Sequence, residues 1–172
     1  MQSLYLLAFM ALFSFTEPSA TGAGYMPPET LYDFWIGEWD LTWTDRDGEQ
    51  RHGENTVRKI MGGKVIEENF HALDGGLEGF EGKSWSVYDT QTGLWKQTWV
   101  DNHGSYLDFE GRTEGDKRIF YRVSTDTAGN ERHARMVFYH IREDSLDWDW
   151  QVSGDRGGTW ETVWQIAYRR KR

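Results

Sequence analysis

Trp95, Gln97, Trp99 and Asp101 alternate along one short segment, and Trp148, Trp150 and Trp164 recur in two later segments of the same kind. Alternate residues of a β-strand share a face. This spacing therefore sets indoles beside an amide and a carboxylate on one surface. Indoles offer flat apolar walls, and a buried amide fixes orientation by hydrogen bonding. The chemistry described is recognition of a small apolar or aromatic molecule with one polar end. Neighbouring segments would supply a charged partner. In 64–73 either Glu67, Asn69 and His71 or Glu68 and Phe70 point inward. In 131–141 the choice is Arg132, Met136, Phe138 and His140 or His133, Arg135, Val137 and Tyr139. The ligand-binding set read from the sequence is Trp95, Gln97, Trp99, Trp148, Trp150 and Trp164, with Glu67 and Arg135 as charged partners.

Other chemistries lack their residues. There is no cysteine, which removes disulfides, thiolate metal sites, iron–sulfur clusters and thiol catalysis. No Gly-x-Ser-x-Gly, P-loop or Gly-x-Gly-x-x-Gly is present, so no catalytic residue is assigned. The histidines at 52, 71, 103, 133 and 140 form no His-Glu-x-x-His and no i, i+2 pair. His71 and His140 are the candidate axial ligands for a haem, but the spacing supports neither metal nor cofactor. Asp45-x-Asp47-Gly48 is too short for a calcium loop and reads as a turn. Glu67 and Glu68 are strand neighbours on opposite faces and cannot act as one acid–base pair. With 28 acidic and 19 basic side chains the net charge is −9, which excludes nucleic acid and anionic lipid as main partners. Two alternatives stay open. A buried carboxylate with a raised pKa would let the same scaffold act as an isomerase, cyclase or hydrolase on a lipophilic substrate. Tryptophans on the outer surface would instead bind a glycan or a protein partner.

The elements that must position these residues are strands. Runs rich in Val, Ile, Thr, Tyr, Phe and Trp, at about 38–45, 50–60, 64–73, 83–89, 94–101, 105–113, 117–125, 131–141, 145–153 and 159–169, alternate with Gly, Asp and Asn turns. Leu146, Trp148, Trp150 and Val152 share an apolar face, with Asp147, Asp149 and Gln151 opposite; Trp160, Thr162, Trp164, Ile166 and Tyr168 read as another common face. The expected fold is all-β: an antiparallel up-and-down barrel of about ten strands, preceded by a short helix at 26–36. A two-sheet sandwich is the alternative. The glycine-rich stretch 74–82 reads as a connector or a lid.

Residues 4–15 form an uncharged apolar run too short to span a bilayer, followed by small residues up to Ala23. The expected organisation is a signal peptide at 1–23 and one barrel domain at 24–172. The mature chain would be soluble, with no membrane partner, and periplasmic or secreted.

The segment Phe34-Trp35-Ile36-Gly37-Glu38-Trp39, with Arg169 and Arg170 after the last strand, resembles the lipocalin and wider calycin signature. The resemblance implies that Trp39 closes one barrel end under an arginine, Arg169 or its neighbour Arg170, in a cation–π contact. Val65-Ile66-Glu67-Glu68-Asn69-Phe70, Ser86-Val87-Tyr88-Asp89, Gln97-Thr98-Trp99-Val100-Asp101 and Gly157-Gly158-Thr159-Trp160 resemble an exported bacterial family of unknown function with a lipocalin-like barrel. That resemblance implies the fold and an extracytoplasmic address, and brings no catalytic residues.

Overall fold

Each alternating run becomes one strand, and each Gly-, Asp- or Asn-containing cluster becomes the turn that reverses it. The computed structural model describes residues 27–172; the expected signal peptide lies outside the described residues. The strands are β1 (Gly37–Thr44), β2 (Gln50–Ile60), β3 (Val65–Ala72), β4 (Glu81–Asp89) and β5 (Leu94–Asp101). They continue as β6 (Tyr106–Glu114), β7 (Lys117–Thr125), β8 (Glu131–Tyr139), β9 (Ser145–Ser153) and β10 (Glu161–Arg170). Every strand pairs antiparallel with its sequence neighbours, and β10 pairs with β1, so the sheet closes into a ten-stranded up-and-down barrel. Closure leaves no unpaired edge in the ring.

The segment expected to be one helix is two 3₁₀ turns, Pro28–Thr30 and Asp33–Trp35. The reason is packing. Tyr32 and Trp35 both have to enter the barrel end, where they are fully buried. Tyr32 stacks on Phe120 at 4.3 Å between ring centroids, and Trp35 meets Phe138 edge-on at 5.0 Å. The Tyr32 hydroxyl donates to the Ile119 carbonyl at 2.8 Å, and the Trp39 indole donates to the Trp35 carbonyl at 2.8 Å. These turns cap one end of the barrel.

Register explains a second departure from simple alternation. Thr162 lies opposite Gln151, and Trp164 lies opposite Trp150, with a bulge at the intervening residue of β10. The extra residue, exposed Val163, changes the face. Thr162 therefore turns outward to the Asp149 carboxylate, while Trp164, Ile166 and Tyr168 belong to the interior.

The interior divides along the barrel axis. The capped half is filled by Tyr32, Trp35, Trp95, Phe120 and Phe138. The half toward the β1–β2, β3–β4, β5–β6, β7–β8 and β9–β10 turns is not filled. Ten strands enclose more space than side chains readily occupy, since about eight is the size they just fill.

Candidate functional site

The unfilled half is a cavity of about 270 Å³. Its walls are Trp99 of β5, Trp148 and Trp150 of β9, and Trp164 of β10. Trp164 stands edge-on to Trp148, with centroids 5.7 Å apart and planes at 88°. The same indole meets Phe70 and Trp43 edge-on at 5.9 and 5.6 Å. Packing of this kind holds the ring planes at fixed angles. Phe80, from the turn after β3, reaches the rim beside Trp99.

The 73–80 segment is an ordered part of this rim. Ala72 donates to the Phe80 carbonyl at 2.9 Å, Gly79 donates to the Ala72 carbonyl at 3.1 Å, and Asn102 Nδ2 donates to the Gly79 carbonyl at 2.8 Å. Those bonds aim Leu77 and Phe80 at the core.

The inner end of the cavity is polar. Glu68 of β3, 5 % exposed, lines it together with Tyr168 of β10. Glu68 Oε1 accepts from Asn55 Nδ2 at 2.7 Å, and Oε2 accepts from Ser84 Oγ at 2.6 Å. Asn55 Nδ2 also donates to the Tyr168 hydroxyl at 3.3 Å. Behind Ser84, Gln97 Nε2 donates to Ser84 Oγ at 3.2 Å and to Ser86 Oγ at 3.0 Å. Adjacent strands β2 to β5 thus each contribute to one buried chain. Burial pushes the Glu68 carboxyl up to about 7, against the opposing pull of the Ser84 and Asn55 hydrogen bonds. Burial, with the nearby Glu68 charge, also raises the Tyr168 phenol.

Asp101 lies at the rim. Burial pushes its carboxyl up, but the Ser105 amide, the Trp99 indole and the His103 amide outweigh this and hold it below the ordinary value. Trp99 Nε1 donates to Asp101 Oδ2 at 3.0 Å, which fixes the indole at the cavity mouth. Among the described residues, no group of three His, Cys, Asp or Glu side chains could hold a metal ion.

Of the side chains expected to bind ligand, Trp99, Trp148, Trp150 and Trp164 meet around the cavity. Trp95 does not. Its indole belongs to the capped end, donating to the Pro28 carbonyl at 2.8 Å and meeting Tyr32 edge-on. Gln97 is buried but stands behind Ser84, so it reaches the cavity only through Glu68.

Glu67 and Arg135 point outward. Glu67 accepts from the Trp85 indole at 3.3 Å on the outer wall. Inward on β3 are Ile66, Glu68, Phe70 and Ala72. Arg135 lies across the outer face of Trp160 at 4.1 Å and donates to Gln151 Oε1 at 2.8 Å. The inward set on β8 is Ala134, Met136 and Phe138. In both strands the inward set is the more apolar of the two alternating sets. That hydrophobic bias is the signal in the sequence that identifies Glu68 rather than Glu67.

The arginine over Trp39 is Arg170, at 4.2 Å from the indole centroid, and not Arg169. Arg169 is one residue out of phase and turns back to its neighbour's carbonyl, Nη1 to Tyr168 O at 2.8 Å. Sequence reasoning passed over Asn55, Ser84 and Tyr168, which have meaning only once β2, β4 and β10 are brought around Glu68.

The family model described as a protein of unknown function, DUF1579, matches residues 30–170. No curated protein matches the sequence. Among solved structures, a redesigned β-barrel is similar at TM-score 0.44 and 10 % identity, covering 83 % of this chain and 96 % of its own. A de novo designed fluorescence-activating β-barrel is similar at TM-score 0.43 and 12 % identity, covering 83 % and 98 %.

Proposed function

The chain belongs to the DUF1579 family, and we propose that its barrel is an exported binding protein for a compact, mainly aromatic small molecule with one polar end. The observation that carries this reading is the 270 Å³ cavity with four indoles on its walls and one buried carboxyl at its inner end. An apolar cavity with few convergent polar groups is the usual form of a small-molecule site. The volume falls just below the roughly 300–1,000 Å³ of drug-sized clefts, so the ligand is small. A cavity of about 150 Å³ accepts benzene, so this one suits one or two fused rings with a short side chain. The lipocalin-like reading is supported by Arg170 lying over Trp39 at the capped end. Export rests on the apolar run at 4–15 and the small residues after it.

Native mass spectrometry of the mature protein, purified from a native-like host, tests this directly. A discrete added mass lost on denaturation, or a 1:1 complex with added 2-naphthol that quenches tryptophan emission, is the expected result. A Leu107→Trp change at the cavity wall should abolish the complex. Failure of both the native ligand and the probe to bind would sink the proposal.

A second reading has one observation in its favour. Glu68 titrates near neutrality and shares a hydrogen bond with the Ser84 hydroxyl. A carboxyl poised there suits proton transfer to or from a bound lipophilic substrate. Exchange of a bound ligand's C–H protons with deuterated water, lost in Glu68→Gln, would mark the barrel as an enzyme. The outer-surface reading has less behind it: Trp85 is the one tryptophan among the exposed large hydrophobic side chains of the described residues.

A further inference from the structure

The ionisable groups lining the cavity are two carboxyls, Glu68 and Asp101, and one phenol, Tyr168; the lining contains no lysine, arginine or histidine. Glu68 makes no ion pair among the described residues, and both of its oxygens are held by neutral donors, Asn55 and Ser84. Hydrogen bonds of this sort orient a carboxylate but do not neutralise it, and a buried charge without a counter-charge is costly. The surrounding indoles present negative ring faces, which attract cations and repel anions. Carboxyl and indoles thus favour the same sign of guest. A metal ion is a poor fit, since no three ligating side chains converge. The cavity is also mostly apolar, which suits an organic body.

We propose that the polar end of the ligand is a protonated amine, which pairs with Glu68 at the inner end of the cavity while its aromatic body packs among Trp99, Trp148, Trp150 and Trp164. This deepens the binding-protein reading and rests on it. Asn55 and Ser84 leave Glu68 in a fixed orientation toward the cavity, so the ammonium finds a prepared acceptor. Tyr168, whose hydroxyl oxygen already accepts from Asn55, has its own proton to offer and does not compete for the cation.

The hydrogen-bond chain behind Glu68 accommodates both protonation states without movement of any strand. In the ionised state Gln97 donates to Ser84, and Ser84 donates to Glu68. In the protonated state the chain runs the other way. Glu68 donates to Ser84 Oγ, and Ser84 donates to the Gln97 Oε1 after a flip of its amide, an oxygen that has no partner in the present orientation. With burial raising the Glu68 carboxyl to about 7, the protein without guest holds mainly the neutral acid below that pH and mainly the carboxylate above it. The cationic guest draws off that proton to solvent.

Calorimetric titration of the full mature protein with three indoles of similar shape tests the assignment: tryptamine, uncharged 3-propylindole and anionic indole-3-propionate. Tryptamine is expected to bind at least tenfold more tightly than 3-propylindole at pH 8, and indole-3-propionate least. Glu68→Gln should bring tryptamine down to the level of 3-propylindole. A pH series on the unmodified protein keeps the test independent of that variant's folding. The groups facing Glu68 are Asn55 of β2 and Ser84 of β4, which do not titrate, and Tyr168 of β10, which stays neutral. Asp101 of β5, at the rim, stays ionised. Tryptamine itself stays protonated from pH 5 to 8, as an alkylammonium does.

Tryptamine affinity should therefore rise across that window as Glu68 loses its proton, while 3-propylindole affinity should not rise. Equal binding of tryptamine and 3-propylindole, or tighter binding of the anion, would overturn the amine assignment and leave the binding reading intact. Absence of binding by all three and by 2-naphthol would overturn both.

Discussion

Arg170 lies over Trp39 with its guanidinium carbon 4.2 Å from the indole centroid, and the same guanidinium ties three separate backbone segments together. Nη1 donates to the Ile36 carbonyl at 2.8 Å, and Nε donates to the Glu143 carbonyl at 2.7 Å. The last strand, the end of the capping turn that leads into β1 and the β8–β9 turn therefore share one side chain. A cation–π contact contributes about 0.5–2 kcal/mol and a charged hydrogen bond about 1.5–3 kcal/mol, reduced where water competes. Arg170→Ala should lower unfolding stability by about 2 kcal/mol in urea titration. Arg170→Lys keeps the charge but loses the fork, and should recover less than half of that. Arg169→Ala should change stability by under about 0.5 kcal/mol, as an ordinary surface change does. Equal effects at 169 and 170 would mean the guanidinium stack has no special part in barrel closure.

The glycine two residues before Trp39 follows from the same contact. Gly37 has φ of 147°, a conformation that L side chains rarely adopt, and a Cβ there would overlap the Arg170 guanidinium. Gly37→Ala therefore strains the backbone and displaces the arginine together. The expected loss is about 3 kcal/mol, larger than that of Arg170→Ala. In the double variant the steric part disappears, so the two losses should fall short of additive. Full additivity would show that the glycine serves backbone conformation alone.

On the outer wall, Asp149 of β9 is only 7 % exposed and accepts four hydrogen bonds. Tyr139 and Gln165 donate to Oδ1 at 3.0 and 3.2 Å, and Gln151 and Thr162 donate to Oδ2 at 3.0 and 3.1 Å. Asp149→Ala strands these donors and should cost about 2–3 kcal/mol. Asp149→Asn turns an NH₂ toward two of them and should cost nearly as much. Chemical denaturation of both variants checks this. A cost under about 0.5 kcal/mol for Asp149→Ala would show that water replaces the carboxylate freely.

The strand count and the indole-lined face were legible because period-two alternation and turn chemistry are local. What lay beyond the sequence were the phase choices. Glu67 and Glu68 are adjacent acids; the apolar bias of Ile66, Phe70 and Ala72 favours Glu68 as the inward one, but its partners, Ser84 of β4 and Asn55 of β2, meet it only through strand pairing. Trp95 and Trp99 share a face, yet four residues of rise separate the capped end from the cavity, and only the capping turn at Pro28 distinguishes them. Alternation alone puts Thr162 on the Trp164 face; the bulge between them turns it outward and leaves no mark in the residue types. The short helix expected before the barrel is present as two 3₁₀ turns, Pro28–Thr30 and Asp33–Trp35, because Tyr32 has to be buried between them as well as Trp35.

Gly82 of β4 lies directly beneath the Trp99 indole, where a Cβ would overlap the six-membered ring. Its φ is not the issue; the close approach is. Gly82→Ala should push Trp99 away from its Asp101 hydrogen bond and reshape the cavity mouth. Ligand affinity should fall about tenfold or more, with a shift in tryptophan emission, while stability falls by about 1–3 kcal/mol as for an overpacked core site. Gly76→Ala, in the same glycine-rich region but with no neighbour within 4 Å of its added Cβ, serves as the control and should leave both unchanged. Unaltered affinity in Gly82→Ala would mean that Trp99 is not part of the binding wall.

Glu68 also makes a prediction for stability that needs no ligand. Its carboxyl is raised from 4.5 to about 7 by burial, so the native state holds the proton more tightly than the unfolded chain does. The stability this provides is fully present below pH 4.5 and is lost as pH rises through 7. At about 1.4 kcal/mol per unit, the loss approaches about 3 kcal/mol by pH 8.5. Glu68→Gln keeps the shape and removes the titration. The difference in unfolding free energy, wild type minus Glu68→Gln, should therefore fall by about 3 kcal/mol between pH 4.5 and pH 8.5, with the variant gaining relative to wild type as pH rises. The carboxyls of Asp126 and Asp155 do not interfere. Backbone amides, led by those of Asn130 and Thr159, hold them at about 2, and their contribution is lost only as pH falls well below this window. Urea titrations of the two proteins at half-unit pH steps give the curve. A difference that is flat with pH would mean that Glu68 is solvated as an ordinary carboxylate, and that the cavity's inner end is wet rather than closed.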